Sequence, residues 1–188
     1  MAYETLANLK SYLGIAEDAT GDDTLLTALL NAATARIEAD THRVFEAASG
    51  TRYYGPEAVD GDVLWLDADL YSVTSITNGE SQTITEYWLL PRNKAPYYQI
   101  KLKDGSDYSW TFDTDGEIAI VGKWGYSETP PADIVYACKR LAGYYYRLKD
   151  SQTFDVTSSP ETGQLIIPKG IPADVKLILA NYRRGGAF

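Results

Sequence analysis

Apolar residues recur at helical spacing near both ends of this chain, while from Thr51 to Trp124 the period changes to the alternation of strands. A short amphipathic helix cannot bury its stripe alone. The two helices at the start must therefore wait for a partner that comes only after the β block. This order predicts an α+β fold: a small α-helical bundle carrying an antiparallel β-rich insertion. Helices are expected near 5–14, 22–42, 130–149 and 172–184, within one domain spanning 1–188. Residues 1–50 and 126–150 form the helical core in this reading, 51–125 the β-rich insertion, and 151–188 a polar loop, C-terminal helix and flexible tail.

Leu6, Leu9 and Leu13 mark the first helix, with Thr5 as N-cap and Gly14 as C-cap. Gly21-Asp22-Asp23 opens a longer one, with acids at the positive end of its dipole. Its stripe is Leu26, Leu30, Ala33 and Ile37, widened by Leu25 and Leu29, and it runs to about His42. Pro131 and Asp133 start a third helix, whose face is Ile134, Val135, Cys138, Leu141, Ala142, Tyr145 and Leu148. Pro172-Ala173-Asp174-Val175 repeats that start, and Ile178, Leu179 and Tyr182 continue it.

The strand candidates are Thr51–Tyr54, Val63–Ala68, Val73–Thr77, Glu86–Leu90, Tyr97–Leu102, Ser109–Phe112 and Glu117–Trp124, with Leu165–Ile167 as a further short strand. Gly55-Pro56, Asn78-Gly79, Pro91, Pro96, Asp104-Gly105 and Asp115-Gly116 punctuate them. The spacing fits antiparallel meanders rather than βαβ units.

At 188 residues the chain is long enough for one good core. Its formal charge of −9 and pI near 4.6 argue against a nucleic-acid binder built on a basic groove. Tyrosine is unusually common, fifteen against four Phe and four Trp, and an apolar ring with a polar tip suits half-buried sheet faces and interfaces equally. A single cysteine, Cys138, leaves no internal disulfide or multi-Cys zinc site, and its apolar helical neighbours read as a buried structural thiol. The N-terminal residues show no basic n-region followed by an apolar run, and no stretch approaches the ~20 apolar residues of a membrane span. The expectation is a soluble chain made in a reducing cytoplasm.

The search for chemistry returns little. His42, the one histidine, falls at a helix end and reads as a C-terminal cap. No G-x-S-x-G, G-x-G-x-x-G or P-loop pattern accompanies it. Asp113-Thr114-Asp115-Gly116-Glu117 fails the calcium-loop spacing, and an Asp-Gly hairpin turn explains it. The pairs Asp67/Asp69 and Asp60/Asp62 have the residue types for glycoside hydrolysis, but acids this abundant fall into pairs by chance. The expected catalytic set, metal set and cofactor set are all empty. Tyr87, Trp88, Tyr97, Tyr98, Tyr108 and Trp110 read either as sheet core with an interface or as a sugar-stacking platform. A non-enzymatic carbohydrate- or receptor-binding module therefore stays open beside a structural role.

The helical segments together resemble the head–tail connector (adaptor) proteins of tailed bacteriophages. The resemblance runs through Leu6-Ala7-Asn8-Leu9-Lys10-Ser11-Tyr12-Leu13-Gly14-Ile15, through Asp22-Asp23-Thr24-Leu25-Leu26-Thr27-Ala28-Leu29-Leu30, and through Ala33-Thr34-Ala35-Arg36-Ile37-Glu38. A tyrosine-rich strand follows at Thr51-Arg52-Tyr53-Tyr54, and a similar Pro-Pro-Ala-Asp-Ile-Val helix spans Pro130 to Ala142. These patterns cover about half the chain. The length of the β block and the extra helix after Pro172 depart from the pattern.

The resemblance implies a structural virion protein, one connector domain that assembles into a dodecameric ring between portal and tail. Such a ring extends the DNA channel, lets genomic DNA pass without specific binding, and offers a platform to the next head-completion or tail protein. It implies no enzyme activity, no cofactor and no membrane. The place implied is the head–tail interface of a virion, after synthesis in the host bacterial cytoplasm. In related adaptors the C-terminal segment reaches the portal, here Pro172 to Phe188, with Tyr182, Arg183, Arg184 and Phe188 as docking residues. Ring closure needs side-to-side interfaces, and Tyr87, Trp88, Tyr97, Tyr98 and Trp110 are the expected inter-subunit contacts.

Overall fold

A computed structural model of the chain describes residues 2–112, 117–151, 157–158, 165–166 and 170–184. The elements run α1 (Leu6–Leu13), α2 (Asp23–Thr41), β1 (Ala48–Tyr54), β2 (Val59–Asp60), β3 (Val63–Thr77), β4 (Tyr87–Leu90), β5 (Tyr97–Leu102), β6 (Ile118–Trp124), α3 (Ala132–Ser151), β7 (Thr157–Ser158), β8 (Leu165–Ile166) and α4 (Ala173–Ala180). Single 3-10 turns stand at Pro56–Ala58 and Gly79–Ser81. The chain divides into a helical unit, Met1–His42 with Pro131–Arg184, and a β unit whose described part lies in Arg43–Pro130. The α+β expectation holds: four helices form a bundle, and an antiparallel sheet is inserted between α2 and α3.

The helical unit follows its stripes. On α2, Leu26, Leu30, Ala33, Thr34 and Ile37 are buried, while Leu25 and Leu29 are half-buried at the margin. They meet Ile134, Ala137, Cys138, Leu141 and Ala142 of α3, and α4 adds Val175 and Leu179. α1 begins as its residues dictate. Thr5 accepts a hydrogen bond from the Asn8 amide at 3.2 Å, and Gly14 closes the helix at φ 74°. His42 also stands in the left-handed region, φ 54°, as the C-cap of α2. Asp22 is the N-cap residue of α2, but its carboxylate makes no capping bond. It accepts from the Tyr146 hydroxyl at 2.6 Å and lies 3.4 Å from the Lys149 ammonium, tying the start of α2 to the end of α3. α4 stops at Ala180, short of the expected 184, and a turn carries Asn181 and Tyr182.

The sheet has the order β1-β6-β3-β5-β4, with β2 pairing β3 beside it, and every pairing is antiparallel. This is not a meander, since β6, the last strand in sequence, lies between β1 and β3. The two strands expected at Val63–Ala68 and Val73–Thr77 are one fifteen-residue strand. Register shifts between Trp65 and Leu70, and again on both sides of Val73, change the alternation phase along it. Its first half pairs β5 and its second half pairs β6. Ser109–Phe112 forms no strand. It is held instead by Asn78, a buried side chain that donates to the Ser109 carbonyl and accepts from the Thr111 amide.

Leu64, Leu66, Leu70, Ile76, Ile100, Leu102, Ile118, Ile120 and Trp124 fill the core of this unit. β3 and β6 approach so closely that a Cβ on Gly122 would stand 2.3 Å from the Ser72 carbonyl oxygen. The opposite face of β1 and β6 carries Tyr53, Val121 and Lys123, in register with Ala119, Thr51 and Ser49. The Leu165–Ile167 expectation is met at Leu165–Ile166, which pairs β7 antiparallel, while Ile167 lies outside the described residues.

Candidate functional site

The structure disperses the aromatic residues that the sequence placed in one group. Trp110 is 9% exposed in the sheet core and donates its indole N–H to the Asp62 carbonyl at 3.0 Å. Tyr97, Tyr108 and Tyr87 pack half-buried against the same core, and burial pushes the Tyr87 phenol up. Tyr98 faces the Arg43 guanidinium, which lies 5.7 Å from its ring and 5.2 Å from that of Tyr126. Trp88 alone of the set is exposed, on the face of β4 away from Tyr87, with the Arg92 guanidinium 3.9 Å from its ring centroid and the Lys103 ammonium 5.0 Å from it. These six side chains form no single stacking platform.

The acids considered as catalytic pairs have structural employment or are exposed. Asp67 accepts from Arg52 and from the Tyr54 hydroxyl. Burial first, and the adjoining carboxylate second, push the Tyr54 phenol far above its ordinary range. Asp69 is buried and pairs with Arg43 at 2.8 Å, the two side chains being 3% and 9% exposed. Burial opposes the Arg43 charge, and the Asp69 carboxylate outweighs it and pushes the guanidinium up. The sequence reading missed this pair. Its signal was an acid at a position flanked by apolar strand residues, a setting in which a charge needs a partner. Asp60 and Asp62 are exposed. Among the described residues no group of three or more His, Cys, Asp or Glu is placed to hold a metal ion. Cys138 is fully buried against Thr34, and burial raises its thiol.

Beside β1 the chain forms a cleft of about 470 Å³, lined by Tyr53, Tyr54, Glu57, Ala58, Trp65, Leu66 and Asp67. Its rim is aromatic, with Tyr53 61% exposed, and Glu57 is exposed too.

The expected docking residues at the C-terminal end are anchored to the helical unit. The Tyr182 hydroxyl donates to Asp133 at 2.8 Å, Arg183 pairs with Asp40 at 2.9 Å, and the Arg184 amide donates to the Thr41 carbonyl at 3.0 Å. These contacts run as far as Arg184, the last described residue. Phe188 lies outside the described residues. α4 also shows Leu177, 72% exposed, and α3 shows Tyr136, 44% exposed. No helix among the described residues is long and apolar enough to cross a membrane.

The sequence pattern characteristic of head completion proteins matches residues 4–185. The chain belongs to the head completion protein family. It is thereby a structural component of the head–tail connector machinery of tailed-phage-type particles. Comparison with curated proteins by sequence gives no significant match. Among solved structures the fold is similar to a chain in the neck of an empty gene transfer agent (GTA) particle computed with C6 symmetry. The TM-score there is 0.66 at 19% identity, covering 97% of this chain and 90% of that one. It is also similar to chains in the neck of the native GTA particle computed with C12 symmetry and in the virion of the native particle. Each gives a TM-score of 0.62 at 20% identity, with the same coverage. Coverage from both sides shows that helical and β units alike belong to the shared fold.

Proposed function

We propose that this head completion protein assembles with copies of itself into a ring in the neck of a tailed-phage-type particle, between portal and tail. The observation that carries this reading is the family match, which runs through 4–185 rather than through one motif. The solved structures of similar fold come from particle necks described with six- and twelve-fold symmetry, which supports a ring of about twelve. The portal protein and the next head-completion or tail protein are its proposed neighbours, and the host cytoplasm its proposed place of synthesis.

The charge balance suits a channel. At −9 per chain, a ring of about twelve carries on the order of −100, which disfavours adhesion of passing DNA. Tyr182, Arg183 and Arg184 are proposed to face the portal, with Phe188 beyond them. Their bonds to Asp133, Asp40 and Thr41 supply a pre-ordered surface, which lowers the cost of docking. For contacts between copies Trp88 is the strongest of the expected aromatics, because it is exposed and already stacked with cations.

Electron microscopy of particles assembled with and without this chain tests the reading. The expected outcome is a ring of density beneath the portal that disappears, together with tail attachment, when the chain is omitted. Particles whose neck is unchanged by its omission would sink the proposal. A portal pull-down with Arg183→Ala/Arg184→Ala, in a chain that still folds, is expected to lose most of its binding.

A further inference from the structure

We infer that neighbouring copies of this chain meet edge to cleft, with Trp88 and Arg92 on the β4 edge of one copy seated in the cleft beside β1 of the next, and Arg92 set against Glu57. The inference rests on the ring reading above and names the surfaces that would close the ring. β1 and β4 are the two terminal strands of the sheet, and among the described residues each pairs with a strand on one side only. A ring is built from contacts in which two different patches of one chain meet. The exposed β4 side and the cleft that β1 lines together with β3 provide such a pair.

The two patches differ in chemistry. Of the seven Lys and Arg within 43–130, four (Arg92, Lys94, Lys101 and Lys103) fall on β5, between β4 and β5 or just after β5, and of these Lys101 pairs with Asp104 at 2.8 Å. Two of these cations lie against the indole of Trp88, which is 39% exposed. An apolar ring already flanked by cations is a ready anchor, because Trp and Arg carry much of the free energy at protein interfaces. The cleft of about 470 Å³, lined from β1, the turn after it and the first half of β3, offers the rings of Tyr53 and Trp65 together with two carboxylates. Asp67 already accepts from Arg52 and Tyr54, which leaves exposed Glu57 to receive an incoming guanidinium. The β unit as a whole has fourteen Asp and Glu against seven Lys and Arg within 43–130, so a cationic edge is the exception in it. An exposed aromatic flanked by cations and an acidic aromatic cleft, two different patches of one chain, are complementary in charge. The occupant they call for is a second copy of the chain.

Cross-linking in assembled particles tests the contact. The full chain with Glu57→Cys and Arg92→Cys, oxidised after assembly, is expected to run as a ladder of covalent oligomers on a non-reducing gel, while either single substitution runs as monomer. Charge reversal gives a second measurement. Glu57→Arg and Arg92→Glu, both at exposed positions, are each expected to lower incorporation into particles by about tenfold, and the two together to restore it. Necks that are intact by microscopy but give no ladder and no effect of reversal would overturn the edge-to-cleft contact and leave the ring standing. Wild-type necks lacking a ring of this chain would overturn both.

Discussion

Asp69 and Arg43 show how much a single residue can be asked to carry. Both side chains are nearly sealed from solvent, and the guanidinium lies between the rings of Tyr98 and Tyr126. A buried pair adds little over a well-packed apolar pair, but removing one partner leaves an uncompensated charge. Arg43→Ala is therefore expected to destabilise the β unit by about 3–5 kcal/mol. Urea denaturation followed by tryptophan fluorescence would measure it, and a loss below about 1 kcal/mol would mean that solvent reaches Asp69 after all. Cys138 is the opposite case. Its thiol lies beside Thr34 with its titration pushed up by burial, so it acts as a small core residue. Sequence pattern alone identified that role, because every neighbour at helical spacing was apolar. It did not identify Arg43, whose partner stands twenty-six positions away on a strand.

At the scale of elements, helices were the most readable because their signals are local. Thr5, Gly14, Pro131 and the α2 stripe each act within a turn or two of where they stand. Strands were less so, because pairing is not local. β3 looked like two strands since its bulges shift the alternation, and β6 reaches its place between β1 and β3 only through contacts with both. Element ends also govern the response to acid. The Tyr146 hydroxyl bond, aided by Lys149, holds the Asp22 carboxyl below its ordinary value of 3.8. Asp174 is shifted the same way, where partial burial opposes ionisation but the Arg140 bond overrides it. A carboxyl lowered by folding stabilises the native state above its unfolded pKa, and that contribution is lost as pH falls through the folded value. The helical unit is thus expected to lose urea resistance as pH drops below about 4, as read by circular dichroism at 222 nm. Asp22→Asn should be less stable than wild type at pH 7 and lose less on acidification. Parallel pH curves for the two proteins would count against the Asp22–Tyr146 bond.

On the scale of the whole molecule, net charge is the property that matters for a chain that DNA would pass. With 26 acids against 17 Lys and Arg, there is little scope for neutralising phosphates. The purified chain is expected to give no mobility shift of double-stranded DNA at ~0.15 M salt. A shift at that ionic strength would count against a chain that DNA passes without adhering. This outcome is independent of ring formation, so it separates the lumen argument from the assembly argument.

The sequence by itself determined the fold class, the four helices and their buried stripes. All of these rest on periodicity and on helix-terminal residues, which are encoded within a few positions of where they act. Only the tertiary structure decided which aromatics are buried and which are offered. Trp88 and Trp110 are alike as residues in strand-like segments, yet one ends in the core with its N–H on Asp62 and the other stands on an edge beneath Arg92. That difference depends on sheet order, and sheet order is set by pairings between segments as far apart as Ala48 and Trp124. The same holds at the C-terminal end, where Arg183 finds Asp40 across 143 residues of sequence. Local pattern fixes the elements, and long-range pairing chooses the surfaces they present.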